Sequence, residues 1–177
     1  WIKRLFTLVF LAALLVYALG RNAPDLQPWH PEILEEEFDL DKSAEITSLA
    51  DYLELEERLF KELDQEIYSQ TATGQGFELA RYSSGSRADP RQFSKNWNRS
   101  FELQHESPSG GVLLLHGMSD SPYSLRALAR RFNQAGFWVV GLRLPGHGTA
   151  PSGLRHIVWE DLGEAVRLAM LHLHDRL

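Results

Sequence analysis

Two short apolar runs, each closed by glycine or turn residues, limit what this chain can become. GGVLLLHG runs from Gly110 to Gly117, and FWVVGLRL from Phe137 to Leu144. Continuous apolar runs of this length, bounded by turn signals, read as strands buried on both faces of a parallel sheet. Between them lies an amphipathic stretch. Ser121 stands at its N-cap position and Pro122 at its first helical position. Leu125, Leu128, Ala129 and Phe132 make its apolar face, and Gly136 its stop. Strand, helix, strand with a short crossover is a right-handed parallel unit. The turn-rich loop PGHGTAPSG follows. A second amphipathic helix then starts near Trp159, with Leu162, Val166, Met170 and Leu173 in phase. A helix after a parallel strand calls for another strand after it. The fold class is therefore α/β, a parallel sheet flanked by helices.

The motifs sharpen this. VLLLHGMSDSPYSLRALARRF followed by VVGLRLPGHGTAPSGL resembles the α/β-hydrolase superfamily. Within it the segment is similar to bacterial carboxylesterases, monoacylglycerol lipases and lysophospholipase-like serine hydrolases. The resemblance covers about residues 98–177 and implies the amino-terminal part of an α/β-hydrolase fold. It implies that the HG doublet ends the third strand, and that the next residue, Met118, offers a backbone N–H to the oxyanion hole. Ester cleavage passes through a tetrahedral intermediate whose oxygen gains negative charge, and fixed donors stabilise that charge. Gly117 lets the backbone approach the substrate with no Cβ in the way. The Met118 side chain is expected to line an acyl pocket.

The segment His116 to Ser124 also holds the residue types of a Ser-His-Asp triad. Ser119 lies in G-M-S-D-S, half of a G-x-S-x-G elbow. Ser121 replaces the second glycine, and residues 22–109 lack the two earlier strand–helix units that an elbow here requires. Ser119 is therefore an alternative nucleophile only. Ser83, Ser86, Ser109 and Ser152 lack flanking glycine pairs. The resemblance implies that the nucleophile, acid and base all lie beyond Leu177. His116 and His147 are expected to bond to nearby backbone, with lining the site as the other reading. Asp120 reads as a turn or cap residue. His30, His105, His156, His172 and His174 form no metal-ligand set, and no cofactor is expected.

The first residues form a separate signal. Lys3 and Arg4 precede the uncharged run from Leu5 to Gly20, 16 residues long. That is roughly 24 Å of helix against a hydrocarbon core of ~30 Å. Snorkelling cations and the interfacial Trp1 and Tyr17 make a span feasible. A secretory signal peptide, ending at Ala18-Leu19-Gly20, fits as well. Either address puts the rest of the chain outside the cytoplasm.

Residues 22–42 read as a Pro-rich and acidic linker, stiffened by Pro24, Pro28 and Pro31. Residues 43–97 read as an acidic helix and a loop. The helix is expected over Ser43 to Gln70, its carboxylates on a solvated face and Glu57 paired with Lys61. A short strand is expected at Phe77 to Tyr82, and another in SFELQHE from Ser100. Residues 98–177 read as a truncated hydrolase domain. The chain begins at Trp1 and stops at Leu177 inside a helical pattern, so it is read as a fragment.

A net charge of −6 argues against a nucleic-acid partner, and the absence of cysteine excludes thiol chemistry. The expected activity of the full-length protein is serine hydrolysis of carboxylic or lipid esters through an acyl-enzyme, with the membrane as partner. The fragment is expected to be inactive. Other chemistry on the same fold (a peptidase, a dehalogenase) or a non-catalytic binding protein is the alternative.

Overall fold

The computed structural model describes residues 1–21 and 25–177; Pro24, the first proline of the expected linker, lies outside the described residues. Helix α1, Ile2–Arg21, has 20 residues. The charged flanks continue the helix beyond the uncharged run, so its length rises to about 30 Å. Its window Ile2–Gly20 has a mean hydropathy of 2.0 and buries none of its surface against the rest of the chain. An apolar amino-terminal helix is thus present, apolar on every side.

The expected linker does not run free. Leu34 and Phe38 are buried, and Trp29 stacks on Tyr82 at 5.1 Å. Asp39 caps a 3-10 turn at Leu40–Lys42. Helix α2 therefore begins later than the periodicity suggests, at Leu49–Leu63. Ser48 and Asp51 set that start: Asp51 N–H donates to Ser48 Oγ, and Ser48 N–H to Asp51 Oδ2. A π turn, Asp64–Tyr68, extends α2. The strand expected at Phe77 to Tyr82 is a run of turns, with Ala80 N–H bonded to Phe77 O and Ser83 N–H to Ala80 O.

The sheet has three strands. Strand β1 is Phe101–Leu103, β2 is Gly110–Leu115 and β3 is Phe137–Leu142. Helix α3, Arg126–Gln134, crosses from β2 to β3, and α4, Trp159–Asp175, follows β3. The order is β1-β3-β2. Strands β2 and β3 are parallel, in register from Gly110 with Phe137 to Leu115 with Leu142. Strand β1 is antiparallel, with Phe101 opposite Gly141. The result is a small mixed sheet with flanking helices.

Alternation along β3 divides the core. Val140 and Leu142 face α4 and α2, meeting Phe38, Tyr52, Ala165 and Leu168. Val139 faces the other way, with Phe101, Leu114 and Ala129. Gly141 lies under the Phe101 ring, where a Cβ would collide with it. One expectation needs correction. Strand β3 is buried on both faces, but β2 is an edge strand: Leu114 is its one buried residue, and Leu115 is 44% exposed.

Candidate active-site loops

The parallel strands deliver two loops to one end of the sheet, after Leu115 and after Leu142. His116, at the end of β2, is buried. Its Nε2 accepts the Leu144 N–H at 3.1 Å, and its Nδ1 donates to Gly117 O at 3.0 Å. This fixes a neutral tautomer, and burial pushes the ring pKa down. His116 thus ties the two loops together through backbone. Its ring lies 5.0 Å from that of His147. His147 is buried too, its Nδ1 donating to Pro145 O at 2.8 Å. Its Nε2 has no hydrogen-bond partner among the described residues.

Gly117 has open space where a Cβ would stand. Among the described residues the Met118 N–H makes no hydrogen bond. The Met118 side chain is 77% exposed. Ser119 has a φ of 57°, uncommon for a residue with a side chain. Its hydroxyl donates to the adjacent Met118 carbonyl at 2.7 Å. Asp120 shapes the turn: its N–H donates to Gly117 O and its Oδ1 accepts the Ser121 N–H. A hydrogen bond from Ser124 holds its carboxyl below the usual range. Ser121 takes the N-cap place of the 3-10 turn Pro122–Leu125 without capping by its side chain. Instead its Oγ donates to Asn98 Oδ1 at 2.7 Å.

These loops enclose a cavity of about 190 Å³. Ser119, Asp120 and His147 line it together with Arg81, Tyr82 and Thr149. The structure therefore brings Ser119 and His147 to one hollow. His116 turns inward, away from it, to hold the Leu144 backbone.

Sequence reasoning missed the group that anchors the second loop. Arg143 is 1% exposed. It grips Glu37 with two bonds, Nη2 to Oε1 at 3.0 Å and Nη1 to Oε2 at 3.2 Å. Its Nε lies 3.3 Å from Glu56 Oε1, and its Nη1 donates to His147 O at 3.0 Å. Tyr52 OH donates to Arg143 O at 2.8 Å, and Ser100 N–H donates to Glu56 Oε1 at 2.7 Å. So Glu56, expected on a solvated helix face, and Glu37, in the expected linker, are buried ion-pair partners. Glu57 pairs with Arg99 rather than with Lys61. The available signal was a lone arginine inside an apolar strand, which has to find acids somewhere. A hydrogen bond joins α4 to the sheet: His172 Nε2 meets Glu102 Oε1 at 2.6 Å.

No protein-family model matches the chain. A curated thermostable monoacylglycerol lipase from Bacillus sp. (strain H-257) is 41% identical over 51 residues, which is 29% of this chain and 20% of that lipase. The chain thus matches about a fifth of that relative's length. A solved structure from a description of LipS and LipT, two metagenome-derived lipolytic enzymes, is 34% identical. The likeness covers 45% of this chain and 32% of that one, with a TM-score of 0.42. The expected resemblance to a monoacylglycerol lipase thus holds over 51 residues of the chain.

Proposed function

We propose that this chain is the amino-terminal part of a serine ester hydrolase that acts on lipid or other hydrophobic acyl esters. One observation carries the reading: the unbonded Met118 N–H, at the end of a parallel strand and beside a glycine with open space around it. A donor already spent on the protein could not stabilise an oxyanion; this one is free to do so. The identity with a monoacylglycerol lipase supports the same reading. In it, the open edge of β2 receives a further strand from beyond Leu177, which carries the nucleophile, and later loops bring the acid and the histidine. An acyl-enzyme then forms and is hydrolysed, with no metal or organic cofactor. Helix α1 tethers the domain outside the cytoplasm, or is cleaved as a signal peptide.

The test uses the gene product extended past Leu177. Gly117→Ala adds a Cβ where the free protein has room, so the melting temperature is expected to hold. Where the substrate carbonyl must approach, that Cβ stands in the way, and kcat on a p-nitrophenyl ester is expected to fall by about a hundredfold. Unchanged kcat would remove this loop from the site.

A second reading makes Ser119 the nucleophile. Its φ of 57° and its place in one cavity with His147 favour it. Its hydroxyl is committed to the Met118 carbonyl, and His116 has both ring nitrogens engaged, which favours the first reading. Ser119→Ala separates them, leaving hydrolysis intact in the first and abolishing it in the second.

A further inference from the structure

A hollow of about 530 Å³ lies beside the loop that presents Met118. That volume is in the range of small-molecule sites. It adjoins the smaller cavity: Arg81 lines both, and Asn98 of the large one is bonded to Ser121 of the small one. Its walls combine two chemistries. Phe93, Trp97 and Tyr123 give aromatic surface, and Arg81, Lys95 and Arg126 give positive charge.

The cations are without acids. In a chain of net charge −6, none of Arg81, Lys95, Arg126 or the neighbouring Arg130 forms an ion pair with a carboxylate among the described residues. Rings hold them instead. Lys95 Nζ lies 4.2 Å from the Trp97 ring centre, and Arg130 lies 5.0 Å from it. Arg126 lies 3.6 Å from the Tyr123 ring centre. Arg81 spends Nη2 on Gly148 O. The nearby acids are already taken, since Asp64 and Asp89 both bind Arg91. Lys95 is pushed below its ordinary pKa by burial and by Arg130, as expected where no carboxylate compensates. Cations held over ring faces keep donors free for an anion, and the rings add apolar contact for a chain.

We propose that this cavity seats the anionic head, a carboxylate or a phosphate, of an amphiphile whose apolar part lies against Phe93, Trp97 and Tyr123. The assignment deepens the hydrolase reading and rests on it for the identification of the amphiphile as substrate or product; the binding itself does not. Neutral esters then become the poorer ligands of this site, and anionic acyl esters or the released fatty acid the better ones.

Isothermal titration on the intact protein in phosphatidylcholine nanodiscs, blanked against empty nanodiscs, tests it. Octyl phosphate and octanoate probe the two anionic heads, and octyl glucoside is the neutral control. At least one anionic probe is expected to bind about tenfold or more tightly than the glucoside. Lys95→Gln with Arg126→Gln is expected to abolish that preference, and these half-exposed or exposed positions leave the fold intact by circular dichroism. Equal binding of all probes would overturn the proposal. So would an undiminished preference in the double variant, or a loss of binding to anionic vesicles alone, which marks a membrane-facing surface. Fluorophosphonate labelling run in parallel keeps the two readings apart. Labelling without anion preference sinks the cavity assignment alone; anion preference without labelling sinks the hydrolase reading alone.

Discussion

Arg143→Met tests how the second loop is held. The arginine is 1% exposed, and its partners Glu37 and Glu56 are 9% and 3% exposed. Replacing it leaves two carboxylates in the interior without a cation, and the His147 carbonyl without a donor. Breaking a buried pair by removing one partner costs about 3–5 kcal/mol. Two stranded carboxylates put the expected loss at the upper end, about 5 kcal/mol, a large share of a domain's typical stability of roughly 5–15 kcal/mol. The loss has a pH signature. Burial already raises Glu56 above its ordinary 4.5, against the pull of Arg143 and the Ser100 N–H. A carboxyl raised on folding contributes stability that is complete below its unfolded pKa and is lost as pH rises through its native value. Without Arg143 the native value climbs further, so the variant is weakest at neutral pH and recovers in acid. Urea unfolding of the intact protein, followed by circular dichroism at pH 5 and pH 7, reads both effects. The triple variant Glu37→Gln, Glu56→Gln, Arg143→Met is expected to regain most of the stability. A single variant within about 1 kcal/mol of the parent, as for a surface pair, and with no steeper pH dependence, would refute the reasoning.

Gly141→Ala is expected to cost about 1–3 kcal/mol by thermal melting, because its Cβ meets the Phe101 ring. Phe101→Leu beside it should recover part of that loss, and additive losses would refute the contact. Tyr52→Phe removes the hydrogen bond to Arg143 O and is expected to cost roughly 1 kcal/mol in urea unfolding, no loss being the contrary outcome. Deletion of α1 is expected to move the protein from the carbonate-resistant membrane fraction to the soluble one; retention in membranes would place the attachment elsewhere in the chain.

What was legible in the sequence was local. The apolar runs at Gly110 and Phe137 and the stop at Gly136 depend on a few neighbouring residues, and the β2–α3–β3 unit stands where they put it. The low burial of β2 was not legible, because a continuous apolar run looks the same at an edge as at the centre of a sheet. The ion pairs of Arg143 were hidden for a related reason. Glu37, Glu56 and Arg143 are far apart in the chain, and a helix pattern cannot tell a buried carboxylate from a solvated one. The same holds for the linker, whose amphipathic stretch at residues 32–41 did not say what Leu34 and Phe38 would be buried against. At the site, HG followed by PGHG located the loops. The free Met118 N–H, and the use of both His116 nitrogens by backbone, emerge only from hydrogen-bond geometry.

The most direct test of the account is fluorophosphonate labelling with peptide mapping, on the chain Trp1–Leu177 and on its gene product extended past Leu177. The account predicts no labelling of the shorter chain, and labelling of the longer one at a serine beyond residue 177 that survives Ser119→Ala. A labelled Ser119, or an extended protein that takes no label at any serine, would contradict it.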